Sequence, residues 1–183
     1  MMDTVSNIMP HEEVYLKQIA DKDMALRDFL QKHSVTEDAS LEGRFEYLTN
    51  LKEVIGNFHN DISFLVTLMA KRFLEQKFGP INLDAGEKPQ GAPGPDISIE
   101  LPDGRFVHCE IKTTKPYQPG FGAQQKAMIK KDLIKLTDSK SDLKFMMVTD
   151  QNAYETLSGP SYSNLAKGIV IVNLLDGETF THE

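Results

Sequence analysis

Between Asp96 and Thr113 two alternating runs flank the stretch LPDGR, and this segment restricts the fold more than any other part of the chain. Proline followed by Asp-Gly between alternating runs predicts a β-hairpin, with the glycine in the left-handed backbone position. If the loop is Pro102, Asp103 and Gly104, then Leu101 stands opposite Arg105, Ile99 opposite Val107, Ile97 opposite Cys109 and Asp96 opposite Glu110; a glycine bulge would shift this register by one. Strand alternation sends Ile97, Ile99, Leu101, Val107, Cys109 and Ile111 to one face, and Asp96, Ser98, His108, Glu110 and Lys112 to the other. The first face is core and the second collects ionisable groups.

Helical spacing of Val14, Leu16, Ile19, Met24, Leu26, Phe29 and Leu30 predicts a helix from about His11 to His33, which SVTEDAS ends. A second helix starts near Leu41 and pauses at Gly56 and Asn57, and a third carries Ile62, Leu65, Leu68, Met69, Phe73 and Leu74 down to Phe78. Short runs follow: a brief strand at Ile81 to Leu83, the loop DAGEKPQGAPGP, and the two hairpin strands, Asp96 to Leu101 and Arg105 to Thr113. A helix from about Gly122 to Leu136, a strand LKFMMVT, a short helical piece at Asn152 to Leu157 and an apolar strand GIVIVNLL complete the order. The expected class is α/β: an N-terminal helical extension over residues 1–56, then a core over 57–183 with a mixed sheet flanked by helices.

Opposed side chains in such a hairpin have Cβ atoms about 4.5–5.5 Å apart. Two carboxylates held about 5 Å apart at an effective dielectric near 20 repel by roughly 3 kcal/mol, so the pair Asp96 and Glu110 calls for a proton or a cation. Mg²⁺ suits it, because this ion takes oxygen ligands, often only one or two protein carboxylates, and leaves its other positions to water and substrate phosphate. Mn²⁺ is the expected substitute. Lys112, on the same face two residues past Glu110, can orient or deprotonate a water, or stabilise charge developing on a phosphate.

The formal net charge of -7 opposes a general affinity for polyanions, but the charge is unevenly spread. Between Arg105 and Lys144 the basic residues Arg105, Lys112, Lys115, Lys126, Lys130, Lys131, Lys135, Lys140 and Lys144 meet only Glu110, Asp132, Asp138 and Asp142. Cys109 is the single cysteine, which excludes an internal disulfide and a cysteine zinc cluster, and fits a reducing cytoplasm. The first residues lack the basic start and apolar run of a secretory signal, and no apolar stretch approaches the length of a membrane span, so no membrane association is expected.

Pro95-Asp96 followed by Glu110-Ile111-Lys112 on the next strand, inside this element order, resembles the PD-(D/E)XK nuclease superfamily, which includes many restriction endonucleases. The resemblance covers roughly Phe58 to Leu175 and implies a restriction endonuclease-like αβββαβ core that hydrolyses DNA with Mg²⁺. It implies that Asp96 and Glu110 are metal ligands, that the Ile111 carbonyl completes the protein's share, and that Lys112 is the catalytic lysine. A further acid often comes from the preceding helix. Topology favours Asp61 over Glu75, which reads as surface, although Asp61 can equally be a charge on its helix's first turn.

The following helix begins at the same edge with GFGAQQK, so its amides, Gln124, Gln125 and Lys126, together with Lys115 and Lys130, are the expected nucleic-acid contacts. Tyr117 and Phe121 stack or pack nearby. His108 reads as a spectator and Cys109 as core, and His59 as a packing or surface histidine rather than a ligand. Cleavage of two strands by one site per chain implies a homodimer. The competing reading is a non-catalytic nucleic-acid or protein interaction module on the same fold.

Overall fold

The hairpin closes through Leu101 N–H donating to the Arg105 carbonyl at 2.8 Å and Gly104 N–H donating to the Leu101 carbonyl at 2.9 Å. Gly104 sits at φ 85°, where a side chain would be strained. From this turn run β1 (Ile97–Glu100) and β2 (Phe106–Lys112), antiparallel with Ile97 opposite Cys109 and Ile99 opposite Val107, the expected register. The sheet continues through β3 (Leu143–Val148), β4 (Val170–Asn173) and β5 (Thr179–Thr181) in the order β1-β2-β3-β4-β5. The β2-β3 and β3-β4 pairs are parallel and the two outer pairs antiparallel, so the sheet is mixed and open.

The computed structural model describes residues 8–87, 93–116 and 120–183. Helices α1 (Pro10–Lys32), α2 (Leu41–Ile55) and α3 (Phe58–Phe78) come before the sheet, α4 (Ala123–Asp138) joins β2 to β3, and α5 (Gln151–Ser158) joins β3 to β4. The chain divides into two compact units, Ile8–Ile62 and 63–183, with the boundary inside α3 rather than ahead of it. In the first unit Phe29 of α1 is buried against the rings of His33 and Tyr47, and Ser40 caps α2 by accepting from Gly43 N–H at 3.1 Å. No residue of α2 is fully buried. Among the described residues no helix is long and apolar enough to cross a membrane.

In the second unit α4 and α5 link parallel strands that are neighbours in the sheet, and both helices pack on one face of it. Their buried residues Ile129, Leu133, Leu136, Ala153 and Leu157 form one cluster with Met146, Val148 and Ile171. On the other face Phe145 meets Phe73 and Phe78 of α3 edge-on, at 6.1 and 6.2 Å between ring centres. The parallel register sets Glu110 beside Met146 and Lys112 beside Val148, so both charged residues belong to the face that α4 covers.

Two expectations are corrected. Ile81 to Leu83 is not a strand: Pro80 has no N–H to give a ladder, and Asp84 closes a turn by accepting from Gly86 N–H at 2.8 Å, although Ile81 is buried. The described order is therefore helix, two strands, helix, strand, helix, two strands, in place of three strands before α4. The second correction is β5, which the sequence pattern does not predict. It is a three-residue exposed edge strand paired to β4, with Val170 opposite Thr181.

Candidate functional site

Antiparallel pairing stops at Ile97 and Cys109, so the next N–H of β2 that points toward the β1 edge, that of Ile111, has no strand partner. Asp96 takes its place: Ile111 N–H donates to Asp96 Oδ2 at 2.7 Å. This bond fixes an exposed aspartate at the end of the hairpin. In an extended strand the N–H and C=O of one residue point to the same side, so the Ile111 carbonyl faces the edge where Asp96 sits.

Glu110 is 2% exposed. Lys135 of α4 reaches it at 2.5 Å from Oε1 and also donates to the Gly94 carbonyl, just ahead of Asp96. Glu110 Oε1 is thus buried with the Lys135 ammonium as its partner. One turn earlier on α4, Asp132 pairs with Lys112 at 2.7 Å, both side chains largely covered. Because α4 runs antiparallel to β2, Asp132 meets Lys112 and Lys135 meets Glu110 in matched order.

Burial pushes the Glu110 carboxyl above the usual carboxylate range; Lys135 opposes this, and Asp96 and Asp132 add to it. On the same face His108 is pushed down by burial and by Lys144 and Lys135, which favours the neutral ring. The Cys109 thiol, wholly buried on the core face, is pushed up by burial and is inert as a nucleophile.

Asp96, Glu110, Ile111 and Lys112 thus come together at one end of the hairpin. Asp132 and Lys135 join them, although the sequence pattern does not single them out. Their signal is position: they flank the stripe Ile129, Leu133 and Leu136 on the side of α4 nearest β2. Asp61 belongs to the helical unit, where it is 5% exposed and Lys22 Nζ donates to both of its oxygens, at 2.9 and 2.7 Å. The charges acting on Glu110 come from Asp96, Asp132 and Lys135. Glu75, expected on the surface, is 7% exposed and buried.

At the start of α4, Gln125 is occupied in capping: its Oε1 accepts from Gly122 N–H and its Nε2 donates to the Lys115 carbonyl, both at 3.1 Å. Gln124, Lys126, Lys130 and Lys115 are exposed and available to a ligand. Phe121 is buried, edge-on to Tyr162, so it packs rather than stacks on a ligand. Tyr117 lies outside the described residues.

Among the described residues no group of three acidic, histidine or cysteine side chains is arranged to hold a metal ion. Two carboxylates and a carbonyl are nonetheless the share that Mg²⁺ commonly takes from a protein, and Glu110 is a buried carboxylate neutralised by the Lys135 ammonium, a place where a cation is already accommodated. The donor set fits a hard divalent cation. No family model, no curated protein and no solved structure matches the chain.

Proposed function

We propose that the chain is a Mg²⁺-dependent endonuclease that hydrolyses DNA phosphodiester bonds, of the type II restriction-like kind that its resemblance to the PD-(D/E)XK superfamily implies. The observation that carries this reading is the convergence of Asp96, Glu110 and Lys112 at the end of one hairpin, with the Glu110 carboxylate buried against a cation. Asp96 and Glu110 would hold the ion with the Ile111 carbonyl, and Mn²⁺ would substitute. When bound, such an ion polarises a phosphoryl oxygen as a Lewis acid. The chain's own groups do the rest. Ile111 N–H orients Asp96, Asp132 holds the Lys112 ammonium in place, and Lys112 then donates to the phosphate oxygen on which charge develops.

Lys115, Gln124, Lys126 and Lys130 are exposed around the start of α4 and would meet DNA phosphates there. The protein would work in a reducing compartment such as the cytoplasm and, to cut both strands, as a homodimer. A monomeric mass in light scattering with and without DNA would count against pairing. The deciding experiment is digestion of plasmid DNA with Mg²⁺ by wild type, Asp96→Ala and Lys112→Ala. Wild type is expected to cut and both variants to lose cleavage; no metal-dependent cutting on varied DNA would sink the reading.

One observation favours a second reading. Both lysines of the site are already ion-paired to its carboxylates, as suits a non-catalytic nucleic-acid or protein interaction module. That module would bind DNA or a protein partner in the same assays without cutting.

A further inference from the structure

Lys135 occupies an unusual place. Its Nζ touches Glu110 on β2 and the Gly94 carbonyl on the segment leading into Asp96, so it bridges the two pieces of chain that a cation between Asp96 and Glu110 would bridge. The lysine side chain is 39% exposed and that of Glu110 is 3% exposed, so the lysine can leave toward solvent while the carboxylate stays. Lys112 cannot play this part, since its ammonium is engaged by Asp132. The Lys135 ammonium sits directly on Glu110 Oε1, the oxygen that a bound cation would need.

We propose that Lys135 is a resident stand-in for the divalent ion, held against Glu110 while the site lacks its ion and displaced when one binds. This rests on the metal-site reading above and adds its regulation. The stand-in lets the chain fold with Glu110 neutralised in the absence of metal, and it weakens ion binding in the absence of substrate. Once displaced, the Lys135 ammonium lies at the mouth of the site, where an arriving phosphate meets it. Ion and DNA then reinforce each other's binding, because the phosphate stabilises the displaced lysine.

The test is calorimetric titration of the full chain with Mn²⁺ at mildly alkaline pH, wild type against Lys135→Met, alongside acylation of lysine amines read by mass spectrometry. Removing the competitor is expected to tighten Mn²⁺ binding on the order of tenfold, the equivalent of one partly exposed ion pair. In wild type, Mn²⁺ is expected to raise acylation of Lys135 several-fold, with exposed Lys126 unchanged as the internal reference. Unchanged or weaker Mn²⁺ binding by the variant, with Lys135 acylation unmoved in wild type, overturns the stand-in and leaves the cation site intact. If neither protein binds Mn²⁺, the metal-site reading fails and the stand-in with it. If Lys135→Met does not fold, the acylation footprint of wild type decides alone.

Discussion

Beneath α4, strands β2 and β3 lie side by side in register and carry opposite chemistry: Glu110 stands beside Met146 and Lys112 beside Val148. The helix above them is divided in the same way. Ile129, Leu133 and Leu136 fit the apolar half, and Asp132 and Lys135 the charged half. Both halves reach deep burial, with Met146 and Val148 at 0% exposure and Glu110 at 2%. Packing alone does not explain the charged half, because buried ion pairs are often replaceable by apolar residues with no loss of stability. The apolar half holds α4 in place, and on the proposed reading the charged half uses that placement for chemistry.

Disabling the charged half should give the largest change. Lys112→Ala removes the ammonium from the site while the stripe on α4 stays intact, so Mg²⁺-dependent cleavage is expected to fall about 10³-fold. Plasmid nicking rates with the far-UV dichroism of both proteins check this; a variant that unfolds, or one that still cuts at the wild-type rate, contradicts the division of labour. Breaking the apolar half should act through stability instead. Leu133→Ala, at a fully buried position, is expected to cost about 3 kcal/mol in urea denaturation. Below the new transition, cleavage per folded molecule should be nearly unchanged.

The two halves also differ in how far the sequence reveals them. The hairpin register follows from local chemistry, a turn of Pro102, Asp103 and Gly104 between strands of period two, and with it the convergence of Asp96, Glu110 and Lys112. The partners Asp132 and Lys135 depend on how α4 is rotated about its axis, which is set by Leu133 and Leu136 packing on strands far along the chain. Topology alone favours Asp61 as a ligand, whereas its pairing with Lys22 requires knowing how α1 lies against the start of α3. Ile81 to Leu83 has the composition of a strand, but strand formation needs a neighbour to pair with. β5 pairs through exposed Thr-Phe-Thr, a pattern with no buried face to announce it.

A smaller effect sharpens the comparison by making the charged half resemble the apolar one. Glu110→Gln removes a buried charge, and its partner Lys135 is 39% exposed, so water screens what the pair contributes. The variant is expected to be more stable than wild type by about 1 kcal/mol near neutral pH, with weaker ion binding. The pH dependence has a definite sign. Burial raises the folded-state pKa of Glu110, so the folded protein holds that proton more tightly than the unfolded chain does. The resulting stability is fully present below the unfolded pKa and is lost as pH rises through the raised folded value. The advantage of Glu110→Gln should therefore shrink as pH falls through that value, a trend that paired urea titrations across mildly acidic pH would reveal or exclude.

The smallest expected effect lies outside both halves, on the solvent side of α4. Lys126 and Lys130 are exposed, and neither belongs to the apolar cluster around Met146 or to the ion pairs around Glu110. If they meet DNA phosphates, each contributes mainly through counterion release, which depends on salt and not on base sequence. Lys130→Ala is then expected to weaken DNA binding only a few-fold at moderate ionic strength, and to reduce the slope of log K against log salt by about 1, equally for unrelated duplexes. Fluorescence anisotropy over a salt series measures both quantities. An unchanged slope would place the duplex elsewhere on the protein, whereas a loss that varied with duplex sequence would mean that Lys130 reads a base edge and that the solvent side of α4 enters a groove.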